Sequence, residues 1–149
     1  CTLKYIYSAS KANVSKTRMN ELYDKSQLNL DAATFLYQKG LYDSVCHPAY
    51  YSCLQLMKHK LIKKGLSLNE QDSLSSAKYN GNSHRCVIEE IRKRLTFSTY
   101  RDEQNYLNGV KQLKEARELS DYKDSRILPE QSDKCIKMAK DVLQKINSI

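Results

Sequence analysis

Apolar side chains in this chain recur at steps of three and four, and no segment alternates with the period of two that a half-buried strand requires. Leu28, Ala32, Phe35 and Leu36 predict a helix that stops at Gly40, a glycine placed to form the C-terminal turn after Lys39. The next run, Leu41 to Lys64, is the longest and most apolar. Val45, Ala49, Ser52, Cys53, Leu56, Met57 and Leu61 form its inward stripe, and Gly65 ends it. Pro48 lies inside this run. A proline removes one backbone donor and crowds the preceding turn, so it predicts a kink or a helix restarting there.

Residues 66–82 are polar and close on Asn80-Gly81-Asn82, the composition of a long mobile loop. Asn82 or Ser83 then caps a helix whose inward face is Val87, Ile88, Ile91 and Leu95. Another helix runs from about Asp102 to Tyr122, with Tyr106, Val110, Leu113 and Arg117 in step. Leu128-Pro129 introduces the last, striped by Cys135, Ile136, Ala139, Val142, Leu143 and Ile146. Residues 1–24 carry little pattern beyond Leu3, Ile6 and Tyr7 and read as an N-terminal extension or linker, which leaves 25–149 as the folded unit. The fold class predicted is all-α, an antiparallel four- to five-helix bundle.

Composition narrows the class. A chain of 149 residues suits one domain, and four glycines and two prolines leave few obligatory turns. No stretch approaches the roughly 18 apolar residues of a membrane span, and no signal-peptide pattern is present, so no membrane partner and a cytoplasmic location are expected. Opening at Cys1 without an initiator Met reads as a processed or trimmed product, a mature lipoprotein being the alternative. The five cysteines, at 1, 46, 53, 86 and 135, contain no CxxC pair and read as reduced thiols, with Cys46 and Cys53 on one helix face. Three scattered histidines make no metal-ligand set, and neither metal nor cofactor is expected. The net charge of +8 is compatible with RNA, DNA or an acidic protein, or with a solvated basic surface. Its densest clusters are Lys58-His59-Lys60 with Lys63-Lys64, and Arg92-Lys93-Arg94.

A few residues stand out as candidate chemistry. Arg117 follows Leu113 and Val110 by four and seven positions, which places it on the inward stripe, and Asp121 lies one turn further along the same side. An inward arginine is costly unless paired, so the two mark a cleft or an interface; an ordinary surface pair at the edge of the stripe is the alternative. His84 stands in the first turn of its helix, placed for proton transfer, phosphate contact or a plain structural hydrogen bond. In Tyr50-Tyr51, neighbours about 100° apart on a helix, one ring can enter the core while the other lines a groove. His47 and His59, twelve apart on one helix, do not act together.

Four short blocks in order resemble the HEPN superfamily, specifically its small stand-alone prokaryotic branch. They are Gly40-Leu41-Tyr42-Asp43, Ala49-Tyr50-Tyr51-Ser52, Ser83-His84 at a helix start, and Arg117-Glu118-Leu119-Ser120-Asp121-Tyr122. The resemblance implies a helical bundle, commonly a homodimer formed through the helices bearing the arginine motif. It also implies either a metal-independent RNase using an arginine followed four to six residues later by histidine, or an inactive module. Modules of the second kind bind RNA or nucleotides, or pair with a nucleotidyltransferase in toxin–antitoxin operons. Here the motif's histidine is missing and Asp121-Tyr122 stand in its place; Pro48 also departs from a position often basic in the family. An ionised aspartate beside an arginine is a poor general acid. The expectation is therefore a non-catalytic or weakly catalytic module whose cleft of Arg117, Asp121, Tyr122, His84 and Tyr51 holds nucleotide or RNA, or docks a nucleotidyltransferase. The alternatives are an endoribonuclease with Arg117, Asp121 and His84 as its catalytic residues, and a structural bundle without ligand.

Overall fold

The computed structural model describes residues 21–122 and 124–149, and within them the chain forms six α-helices and no strand. In order these are α1 (21–38), α2 (Cys46–Lys63), α3 (Leu68–Lys78), α4 (Ser83–Arg92), α5 (Tyr100–Tyr122) and α6 (Pro129–Ile146), with a single 3-10 turn at Tyr42–Ser44. The all-α reading holds. Of the predicted extension, 1–20 lie outside the described residues, and 21–24 already belong to α1.

α2 is the central helix, packed against α4, α5 and α6. Its small and branched inward residues let those neighbours approach closely: Val45, Cys46, Ala49, Leu56, Met57 and Leu61 are all buried. α1 runs alongside in the opposite direction, with Ser26 Oγ donating to the Ser52 carbonyl (2.8 Å) and Tyr23 against the His59 ring. Its inward face is only in part the one the spacing predicts, Leu36 and Ala32 being partly covered as expected. Leu28 and Phe35 are exposed, while Ser26 and Ala33 are buried with Leu30, Leu36 and Tyr37 partly covered. Small residues on the α2 side let the two backbones come close, and that contact outranks the larger apolar side chains in choosing the face.

Pro48 neither kinks nor breaks α2. The helix begins at Cys46, so the proline sits in the first turn, where a backbone N–H has no intrahelical acceptor to lose. Gly40 and Gly65 close α1 and α2 with φ of +72° and +89°, a conformation glycine adopts without strain. At each stop a paired hydrogen bond reaches back into the last turn, Leu41 N–H to the Leu36 carbonyl and Leu66 N–H to the Leu61 carbonyl (both 2.9 Å).

The segment read as a mobile loop is the helix α3. Its start is Ser67, whose side chain accepts from the Glu70 N–H while the Glu70 carboxylate accepts from the Ser67 N–H, a complete capping box. Polar side chains, Gln71 and Ser75, supply its buried face, and hydrophobic spacing therefore does not reveal it. α3 packs on α4. Nearby, buried Glu90 accepts from Tyr79 (2.9 Å), Lys93 (2.7 Å) and Arg94 (2.8 Å). Burial pushes this carboxyl up, but the three donors outweigh it and hold the pKa down to about 2. Glu90→Gln is expected to lower stability by about 1–3 kcal/mol in urea melts. Because the folded pKa is depressed, that contribution is present above the ordinary carboxylate value of 4.5 and is lost as pH falls toward 2.

Candidate functional site

The site lies where the N-terminal half of α2, the first turn of α4 and the last turns of α5 meet. Arg117 is at its centre, only 7% exposed. Helical spacing after Leu113 and Val110 turns it inward, and aromatic rings receive it. Its guanidinium carbon lies 5.3 Å from the Tyr50 ring centroid and 5.8 Å from those of Tyr51 and Tyr122. Ring faces attract a desolvated cation, which offsets part of the cost of burying it. Its carboxylate partners are distant, Asp121 Oδ2 at 3.6 Å and Glu118 Oε1 at 3.8 Å, and its buried Nε has no hydrogen-bond partner. A guanidinium carries five N–H donors. This one is enclosed by three rings with donor capacity unspent.

Two histidines approach from other helices. Tyr50, buried in the core, places its hydroxyl 3.0 Å from His84 Nδ1, and the His84 ring also packs on Tyr51 at 5.9 Å between centroids. Burial lowers the His84 pKa below 6.5, and the positive charges of Arg117, Lys58 and Lys114 lower it further, against an opposing pull from Glu118. His84 is therefore neutral at pH 7, within a field of three basic side chains. A depressed histidine contributes stability fully present above its ordinary value of 6.5 and lost as pH falls below it. The thermal midpoint of the wild type is expected to drop more between pH 7 and pH 5.5 than that of His84→Gln, in melts at matched ionic strength. Equal slopes would show that folding leaves the His84 pKa unchanged.

His47 completes the group. Its Nδ1 lies 2.8 Å from Asp121 Oδ2, and its ring stacks on Tyr51 at 4.7 Å. An ionised carboxylate only accepts, so Nδ1 carries the proton, and in the neutral ring Nε2 is then the acceptor nitrogen. Asp121 thus faces Arg117 and His47 together. Below it, Ser120 Oγ donates to the Asp43 carbonyl, and the Asp43 carboxylate accepts from the Ile127 N–H (2.5 Å), pinning the end of α5 to the 3-10 turn.

The structure brings together Arg117, Asp121, Tyr122, His84 and Tyr51, and it adds His47 and Tyr50. Spacing on one helix hides His47's part, because its partner is 74 positions away on α5. Of the two basic clusters, Arg92-Lys93-Arg94 is spent internally on Glu89, Glu90 and Glu103. Lys58 instead lies close enough to act on His84. No group of histidine, cysteine and acidic residues suited to a metal occurs among the described residues.

A helical bundle carrying an arginine, an acidic residue and histidines at one end defines a class, and comparison supplies its name. The HEPN domain profile matches residues 19–149, and the chain belongs to the HEPN domain family, a family of nucleotide-binding or RNase-like modules. A search of curated proteins finds no match. No helix among the described residues is long and apolar enough to cross a membrane.

Proposed function

We propose that this chain is a phosphate-reading HEPN module that binds a nucleotide or a short single-stranded stretch of RNA at Arg117. The observation that carries the reading is the buried, under-partnered guanidinium. Its Nε is unpaired and its carboxylates are too far for hydrogen bonds, so a phosphate gives its donors the close partners the protein withholds. Lys58 and Lys114 add positive charge around the same end. Tyr122, 73% exposed beside the guanidinium, offers a ring on which a base stacks. Neutral His84 and the Nε2 of His47 provide hydrogen bonds to sugar or base.

Labelled single-stranded RNA and a nucleoside monophosphate, titrated in low salt, test this. Wild-type protein is expected to bind saturably, and Tyr122→Ala to weaken binding by about tenfold, the equivalent of one lost stacking contact. Unchanged affinity in Tyr122→Ala would remove the stacking role; no wild-type binding to either probe would sink the reading. A homodimer and a nucleotidyltransferase partner belong to the same proposal, the exposed Leu41, Tyr122 and Leu128 near this end of the bundle offering apolar contact.

One observation favours a second reading, a metal-independent endoribonuclease of the toxin–antitoxin type. His47, oriented by Asp121, has the arrangement of a general base, and it reaches the place beside Arg117 from α2. In this reading Arg117 stabilises charge developing on the phosphate, and His84 or Asp121 shares the proton transfers. Incubation with mixed RNA in EDTA decides between the readings. Discrete products that vanish with His47→Ala would make the chain an enzyme, and intact RNA would leave it a binding module.

A further inference from the structure

We propose that Cys46 and Cys135 form a reversible intramolecular disulfide, a modification site that joins the first turn of α2 to the middle of α6. Their sulfurs lie 2.6 Å apart. That is well inside the roughly 3.5–4.0 Å of ordinary non-bonded contact and short of the bonded separation of about 2.05 Å. Both side chains are buried, at 0% and 1% exposure, on helices that pack directly together, so neither sulfur can drift far from the other. The remaining described cysteines are placed differently. Cys53 Sγ faces the Ala139 carbonyl (3.5 Å) and Cys86 Sγ the Gln71 carbonyl (3.7 Å). Those two fill space in the core, whereas Cys46 and Cys135 face each other.

The sequence neighbours His47 and Lys134 are exposed, so the pair lies under the solvent-facing first turn of α2, and local opening of that turn admits an oxidant hardly larger than water. The oxidant class is a hydroperoxide. The Cys135 thiolate attacks the peroxide oxygen, forming a sulfenic acid and releasing one water once the leaving hydroxide is protonated. The Cys46 thiol then attacks that sulfur, forming the S–S bond and releasing a second water. Two thiols are oxidised by two electrons and one peroxide is reduced. A dithiol reductant returns both thiols by exchange. In a reducing compartment such a bond is transient and reports oxidative conditions. Because His47 follows Cys46 directly, the bond also anchors the turn that presents His47 to Asp121.

Full-chain protein, first reduced and then treated with a stoichiometric amount of hydrogen peroxide, provides the test. Intact mass is expected to fall by two hydrogens, a non-reducing digest to yield one cross-linked pair containing Cys46 and Cys135, and the dithiol to restore the starting mass. Closing a loop of 89 positions is expected to raise the thermal midpoint by roughly 10 °C. Cys53→Ser should keep both the mass change and the thermal shift on oxidation, whereas Cys135→Ser should lose both. An unchanged mass, a gain of oxygen without cross-linking, or a cross-link between other cysteines would overturn the proposal. If Cys135→Ser does not fold, the wild-type digest alone decides.

Discussion

Leu113→Ala is expected to destabilise the protein by about 2–5 kcal/mol. Leu113 is fully buried within the core that α2, α5 and α6 share. Truncation removes apolar area and leaves a cavity that helices anchored at both ends cannot close. Leu113 also lies one turn before Arg117, and a cavity there loosens the seat of the guanidinium. Urea denaturation should therefore show a lower midpoint with an unchanged slope. Binding of a phosphate ligand should weaken as well, though the variant leaves every polar group of the site in place. A loss below about 1 kcal/mol would mean that the core around α5 collapses more freely than its packing suggests.

The largest effect on function is expected from Arg117→Met, a roughly 10- to 100-fold loss of affinity for RNA or nucleotide. Methionine keeps an unbranched stem that packs among Tyr50, Tyr51 and Tyr122 but removes all donors. It also relieves the protein of a buried charge whose nearest carboxylates sit 3.6 and 3.8 Å away, so the variant should be as stable as the wild type or more so. Lost binding together with retained stability separates a ligand-facing arginine from a structural one. Arg117→Lys should recover part of the affinity, because a lysine offers charge without the planar fork. The affinity of the wild type should itself fall steeply with salt.

The elements most legible in the sequence are those whose burial is carried by apolar residues at helical spacing. In α6 all six stripe residues from Cys135 to Ile146 are buried, and in α5 the set Tyr106, Val110, Leu113 and Arg117 is the buried face. α3 escapes that pattern because its inward residues are Gln71 and Ser75; only Ser67 and Glu70, three apart, announce it. On α1 the spacing selects Leu28 and Phe35, while contact with α2 buries Ser26 and Ala33 instead. The site divides along the same line. The position of Arg117 and Asp121 on one face follows from counting residues along α5. The union of Asp121 with His47, of Tyr50 with His84, and of Cys46 with Cys135 arises only when separate helices pack. Their separations of 74, 34 and 89 positions place them beyond any local rule.

Phosphate reading by Arg117 is tested most directly by calorimetric titration of wild-type and Arg117→Met protein with one nucleoside monophosphate and one short single-stranded RNA in low salt, beside thermal melts of both proteins. Saturable binding of at least one ligand by the wild type is expected, weakened 10- to 100-fold or abolished in Arg117→Met, with the variant's thermal midpoint equal to or above that of the wild type. Absence of wild-type binding to both ligands, or equal affinity in the two proteins, would contradict it.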